Sequence, residues 1–244
     1  ALKRHFPETK IVLGGKLAIL DPEFIFNNVA TDYIIRGEGE IAIIELLEML
    51  QGKRSIDKVQ GLAYKDEAGN IQFNGEAALV EKISDYYFPY RSIDMSRYVS
   101  RNTVQSPNLP SINMISSRGC PFSCTFCNFS KGQYNCMRYY DIEVLSDIWD
   151  FLIANYGLEH ITFNDDIFTV NKKRVREVCG RLKEKNLAFS CSTRLDCLGE
   201  EMISILEDSD CRYLCIGIES PAPAVARIID KRIEFSKYQR NIDL

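Results

Sequence analysis

The sequence predicts an α/β protein built on parallel sheets, and three observations carry that prediction. Apolar runs of strand length alternate with segments of helical period along most of the 244 residues. Glycine-bearing turns close the first two runs, and from about residue 112 a strand–helix unit recurs four times. Strand, helix, strand, helix at this pitch is the pattern of a parallel sheet.

Lys10 to Leu13 reads as a buried strand running into the turn Gly14-Gly15. Asp32 to Arg36 repeats the pattern, followed by Gly37-Glu38-Gly39-Glu40 and a helix from about Ile41 to Leu50. Gly15-Lys16 is not a phosphate loop, because the spacing and the Ser/Thr of that motif are missing. Two carboxylates at the start of the next helix complement its dipole and repel an anion. Residues 60–75 alternate apolar and polar around Asp66 to Asn70, as a hairpin does. From Asp85 to Pro110 the chain is rich in Tyr, Pro, Ser and Arg without helical period, and reads as an ordered linker. Strands are expected at 112–117, 160–164, 187–193 and 213–218. Helices are expected over Asp141–Tyr156, over Lys172–Lys185 capped by Asn171, from about Glu200 to Glu207, and from Ser220-Pro221 onward. The parts are then 1–58, a hairpin and linker at 59–110, and 111–244.

Composition narrows the function. A net charge of −4 gives no general reason to bind nucleic acid. The densest basic stretches, Lys172 to Arg176 and Arg181 to Lys185, belong to one amphipathic helix and read as its solvated face. No apolar run is long enough to cross a bilayer, and no signal peptide opens the chain. Nine cysteines without an export signal suit a reducing cytoplasm better than a disulfide framework.

Strand parity locates a site. In the second barrel strand Ile161 and Phe163 take the helix side, which turns Thr162, Asn164 and Asp166 inward. In the third, Phe189, Cys191 and Leu195 leave Ser190, Ser192 and Arg194 inward. In the fourth, Leu214, Ile216 and Ile218 leave Tyr213, Cys215, Gly217 and Glu219 inward. A structural barrel fills that space with branched apolar residues, and active sites sit at the C-terminal ends of the strands.

Three cysteines lie within eight residues, Cys120-Pro121-Phe122-Ser123-Cys124-Thr125-Phe126-Cys127. One loop thus offers three thiolates. A cubane cluster normally takes four protein thiolates, so three leave one iron open, as catalytic metal sites require. A zinc knuckle or an electron-transfer cluster needs a fourth ligand. Cys136 stands nine residues on, and neither His5 nor His160 is close in sequence. Cys179, Cys191, Cys197 and Cys211 read as packing residues, while the role of the inward-facing Cys215 stays open.

The cysteine loop, with Arg118-Gly119 before it and Pro121 inside it, resembles that of radical S-adenosylmethionine enzymes of the class with a cobalamin-binding domain upstream. The resemblance implies a [4Fe–4S] cluster on Cys120, Cys124 and Cys127, whose unique iron chelates S-adenosylmethionine, and cleavage to a 5′-deoxyadenosyl radical. It implies the C-terminal part of a Rossmann-like cobalamin-binding domain at 1–58 and the first four βα units of a TIM-like (β/α)6 barrel at 111–244, truncated at both ends. Gly14-Gly15 resembles the double glycine that admits the nucleotide tail of cobalamin, though two ordinary turns would read the same. The Asp-x-His-x-x-Gly segment that supplies a cobalt ligand in some relatives would lie upstream of Ala1, which ties cobalamin to a longer parent.

Further roles follow from the same resemblance. Asp165 or Asp166 would hold the methionyl amino group, although the usual Gly-Gly-Glu is absent. Gly217-Ile218-Glu219-Ser220 would bind the ribose hydroxyls, Arg194 the methionyl carboxylate, and Phe126 would pack near the adenine. The implied partners are a small-molecule substrate and a reductant such as flavodoxin or ferredoxin. Methyl transfer or rearrangement is the implied outcome. The alternatives are a methylthiotransferase on RNA or protein, which wants further cluster cysteines before Cys120, and an electron-transfer or structural metal-cluster protein. From the residues alone, Arg194 and Glu219 could instead pair with each other, and Asp165 and Asp166 could cap the loop that follows.

Overall fold

The structure, a computed structural model, describes residues 2–15, 18, 20–127, 135–231 and 240–242, and Lys16 of the first glycine turn lies outside them. The chain divides into two units, 1–81 and 82–244. Short helix α1 (Leu2–His5) precedes strand β1 (Val12–Leu13), which pairs in parallel with β2 (Tyr33–Ile35). Between them runs α2 (Pro22–Asn28), where the Asp21 side chain accepts the Phe24 N–H, with proline in the first turn. Helix α3 (Gly39–Leu50) follows β2. The expected hairpin forms from β3 (Leu62–Lys65) and β4 (Ile71–Phe73), and it joins the same sheet in the order β1-β2-β3-β4. It is thus continuous with the first part of the chain.

Side-chain alternation along β2 builds the core on both faces of that sheet. Ile35 packs with Ala42, Leu46, Val59 and Leu62, whereas Ile34 packs with Ile25, Phe26 and Ala63. Gly61 sits where only glycine fits. Its φ is +69°, and a Cβ there would lie 2.6 Å from Ala77 Cβ and 2.7 Å from the Arg36 carbonyl oxygen.

The second unit starts with three short 3₁₀ turns between Ile83 and Arg97. A hairpin of β5 (Ser100–Thr103) and β6 (Ser106–Met114) then appears where the composition suggested only a linker. Pro107 and Asn108, the latter with φ +66°, hide it, because neither residue belongs to an ordinary strand pattern. The sheet continues in the order β11-β10-β9-β6-β5, with β9 (His160–Phe163), β10 (Ala188–Arg194) and β11 (Cys211–Gly217) parallel to β6. A small ladder, β7 (Ser117–Arg118) with β8 (Arg138–Tyr139), brackets the cysteine loop.

Four helices follow the parallel strands: α4 (Ile142–Tyr156), α5 (Lys172–Glu184), α6 (Glu200–Asp208) and α7 (Pro223–Ile228). Asn171 caps α5 by accepting the Arg174 N–H. Under α4, Trp149 meets Phe163 edge-on at 6.3 Å, and Phe163 stacks on Phe168. Ile161, Phe163, Phe189 and Cys191 are all buried. In β11 the register slips by one residue, pairing Phe189 with Cys211 and Ser190 with Tyr213. The extra residue, Arg212, restores the parity read from sequence beyond it.

Two expectations fail locally. Helix α7 starts two residues late, with Ala222 at the N-cap and Pro223 in the first turn. Glu219 at φ +63° and the Ser220 hydroxyl, which accepts the Ala222 N–H, first make a tight turn. Arg174 does not belong to a solvated face. It is buried, donates to the Tyr140 carbonyl and lies over the Tyr139 ring. Its neighbours Lys172 and Arg176 do face solvent, pairing with Glu201. Among the described residues no helix is long and apolar enough to cross a membrane.

Candidate active site at the strand ends

The cysteine loop is fastened at its middle to the end of α7. Thr125 N–H donates to the Ile229 carbonyl, Thr125 Oγ1 to that of Ile228, and the Ser123 hydroxyl to the Asp230 carboxylate. Cys127 N–H closes a turn on the Cys124 carbonyl. Cys124 is buried, and Cys120 and Cys127 are half-buried. Burial pushes the Cys120 thiol up, and the charges of Cys127, Asp166 and Cys124 add to the rise.

Among the described residues no three His, Cys, Asp or Glu side chains converge on one metal ion. In a cubane each thiolate binds a different iron, so the three sulfurs need not meet at a point. A local loop of three thiols suits that geometry.

The two acidic neighbours differ sharply. Asp165 is buried, and its carboxylate accepts from Ser116 N at 2.6 Å, Ser116 Oγ at 2.6 Å and Ser117 Oγ at 2.7 Å. Burial raises its pKa, and these bonds oppose the rise. The Asp165 oxygens thus hold the chain that leads into the cysteine loop. Asp166 is exposed, and its charge is felt at Cys120.

Arg194 ends β10. Nε donates to Asp196 Oδ1 at 2.9 Å, and Nη2 to Asp196 Oδ2 at 2.8 Å and to the Lys231 carbonyl at 2.6 Å. Nη1 lies 3.2 Å from Cys124 Sγ, and the guanidinium sits 3.8 Å above the centre of the Phe122 ring. The Nε–Nη2 edge that could grip a ligand carboxylate holds Asp196, and Nη2 also holds the Lys231 carbonyl. Nor does Arg194 pair with Glu219.

Glu219 pairs with Lys231. The lysine, 3% exposed, donates from Nζ to Glu219 Oε1 at 2.8 Å and to the Gly217 carbonyl at 2.7 Å. Glu219 holds a left-handed backbone and leaves its side chain 41% exposed. A Cβ on Gly217 would approach Glu219 Oε1 to 3.1 Å and Lys231 Nζ to 3.2 Å, a tight fit. Lys231 thus joins the two halves of the site, its carbonyl holding Arg194 and its ammonium holding Glu219. Sequence reasoning missed it, as it missed Asp196. The only sequence signal for Asp196 is an acid two residues after an arginine at a strand end.

The remaining candidates are simply placed. Phe126 is 54% exposed on the cysteine loop, and Ser220 is half-buried in the turn before α7. Gly15 has φ +84°, with nothing within 4 Å of a Cβ built there, while Gly14 faces the Ile35 carbonyl at 3.8 Å. Cys197 lies near enough to Cys120 and Arg194 for their charges to act on it. Burial and the Asp196 charge push its thiol up to about 12.

Residues 114–244 match the family model described as the Radical SAM superfamily. The chain is 30% identical over 227 residues to an uncharacterized methyltransferase of Pyrococcus horikoshii, covering 91% of this chain and 48% of that protein. It is 25% identical over 252 residues to the cytidylyl-2-hydroxyethylphosphonate methyltransferase of Streptomyces wedmorensis, covering 93% and 47%. A solved structure of the cobalamin-dependent S-adenosylmethionine radical enzyme OxsB, with aqua-cobalamin and S-adenosylmethionine bound, matches with a TM-score of 0.74 at 19% identity. That match covers 99% of this chain and 36% of the other. The chain thus spans about half the length of the curated relatives it matches.

Proposed function

The chain belongs to the radical SAM superfamily, and on that premise we propose that its second unit binds S-adenosylmethionine beside a [4Fe–4S] cluster and cleaves it reductively. The observation that carries this reading is the fastening of a three-cysteine loop, through Arg194 and Lys231, to Glu219 at the end of the parallel sheet. When bound, the cluster supplies one electron to the sulfonium and an open iron to chelate the methionyl group. Cys120, Cys124 and Cys127 would hold three irons, each as thiolate, which requires the thiol protons to leave as the metal binds.

The chain's own residues then do the positioning. Asp166, exposed and near Cys120, would accept from the methionyl ammonium. Glu219, its backbone fixed and one oxygen oriented by Lys231, would accept from the ribose hydroxyls, with Ser220 beside it. Phe126 would cover the adenine with its exposed ring. In the first unit, Gly14 and Gly15 would admit a cofactor tail, because Gly15 leaves open space where a side chain would stand. The relatives named above support cobalamin as that cofactor and methyl transfer to a small molecule as the outcome. A low-potential reductant of the flavodoxin or ferredoxin class would deliver the electron.

The test is anaerobic reconstitution followed by assay of 5′-deoxyadenosine from S-adenosylmethionine and a strong reductant. Product that depends on Cys120, Cys124 and Cys127 supports the reading. Product that survives Cys124→Ala overturns it.

A further inference from the structure

A guanidinium has five N–H donors, and nearly all of those on Arg194 are committed. Asp196 takes one from Nε and one from Nη2, the Lys231 carbonyl takes the other from Nη2, and Cys124 Sγ faces Nη1. The group is buried and lies flat on Phe122. Its geometry is therefore fixed from three sides before any ligand arrives, and the direction left to it is the sulfur of a candidate cluster ligand.

We propose that Arg194 sets the reduction potential of the cluster, by donating an N–H to the coordinating sulfur of Cys124 and holding a positive charge beside it. This rests on the cluster reading given above. Reduction adds one electron, taken from an external low-potential donor, to a cluster that is already anionic; no bond forms or breaks. A hydrogen bond to sulfur and a nearby positive charge both stabilise that added charge and raise the potential. Asp196 works the other way. It holds the guanidinium in place, and its own negative charge, 2.8–2.9 Å from the arginine nitrogens, partly cancels the field at the cluster. Arg194 is thus a positioning and tuning residue.

The two side chains give the proposal opposite signs to check. In the reconstituted full chain, the midpoint potential is read by a redox titration followed by electron paramagnetic resonance. S-adenosylmethionine affinity is read separately by equilibrium dialysis. Arg194→Gln moves the potential negative and Asp196→Asn moves it positive, and Asp196→Asn keeps cofactor affinity within about twofold of wild type. An unchanged midpoint in Arg194→Gln overturns the proposal, as does a tenfold or greater loss of cofactor affinity with no shift in potential. Should Arg194→Gln fail to take up iron, Asp196→Asn decides: a positive shift supports the proposal, and no shift or a negative one removes it. Wild type loaded with iron but showing no shift in either variant removes this inference and leaves the cluster reading standing. Wild type without a cluster removes both.

Discussion

Replacing Lys231 by methionine keeps the length and apolar body of the side chain and deletes its ammonium. In the structure that ammonium makes two bonds, to Glu219 Oε1 at 2.8 Å and to the Gly217 carbonyl at 2.7 Å. A charge-assisted bond is worth roughly 1.5–3 kcal/mol where both partners are buried. Glu219 is 41% exposed, so water recovers much of its half, leaving about 1 kcal/mol. The Gly217 carbonyl, half-buried, loses a partner at a cost of about 1 kcal/mol. No longer burying a charge offsets part of this, so the net loss of stability is roughly 1–2 kcal/mol. For a unit of this size that is a fall in Tm of about 3–6 °C. The effect on the cofactor is sharper. Lys231 orients the Glu219 carboxylate, and its release should weaken S-adenosylmethionine binding about tenfold, or ~1.4 kcal/mol. Equilibrium dialysis on the iron-loaded chain measures the affinity, and thermal unfolding measures the stability. If Lys231→Met binds the cofactor as wild type does while Glu219→Gln binds it tenfold more weakly, the reasoning about Lys231 is refuted.

Other outcomes follow from the buried polar groups and from Gly61. His160 is fully buried, with Nε2 on the Ser190 hydroxyl at 2.8 Å and no partner for Nδ1, and burial lowers its pKa to about 4 from an ordinary 6.5. Its neutral form is favoured on folding, so the stability it contributes is complete above pH 6.5 and is lost as pH falls through 4. That loss amounts to about 3 kcal/mol; urea unfolding across pH 4–7 should show it, and His160→Phe should flatten the profile. Asp165→Ala strands the Ser116 amide and two hydroxyls; it should cost ~2–4 kcal/mol and reduce iron uptake, and full uptake would show that the serine contacts do not hold the loop. Gly61→Ala, with backbone at 2.7 Å from the new Cβ and φ at +69°, should destabilise the first unit by ~2 kcal/mol or more, as read by its own unfolding transition.

Much of this was legible in the sequence for a simple reason. Cysteine spacing is local, and strand parity needs only the alternation of a few apolar residues. Ile161, Phe163, Phe189 and Cys191 therefore revealed which side of the sheet carries chemistry. What stayed hidden depends on partners distant in sequence. Asp165 and Asp166 look alike until Ser116 and Ser117, 49 and 48 residues earlier, fold against the first of them. The arginine at 194 invites a ligand carboxylate, because nothing local says that Lys231 and Cys124 also reach it. Arg174 sits in a basic run like its neighbours, and only the approach of the Tyr139–Tyr140 segment buries it. Hairpin β5–β6 was masked by the proline and the left-handed asparagine that shape its edge.

The central claim is that Cys120, Cys124 and Cys127 hold a cluster with one iron left open, and metal analysis of the reconstituted chain and its variants tests it most directly. About four irons per chain are expected, lost in the Ala variants of Cys120, Cys124 and Cys127 and retained in those of Cys136 and Cys197. S-adenosylmethionine should alter the paramagnetic resonance spectrum of the reduced wild type, because it binds at the open iron. Zinc in place of iron, or loss of the metal on Cys136→Ala equal to that on Cys124→Ala, would contradict the account.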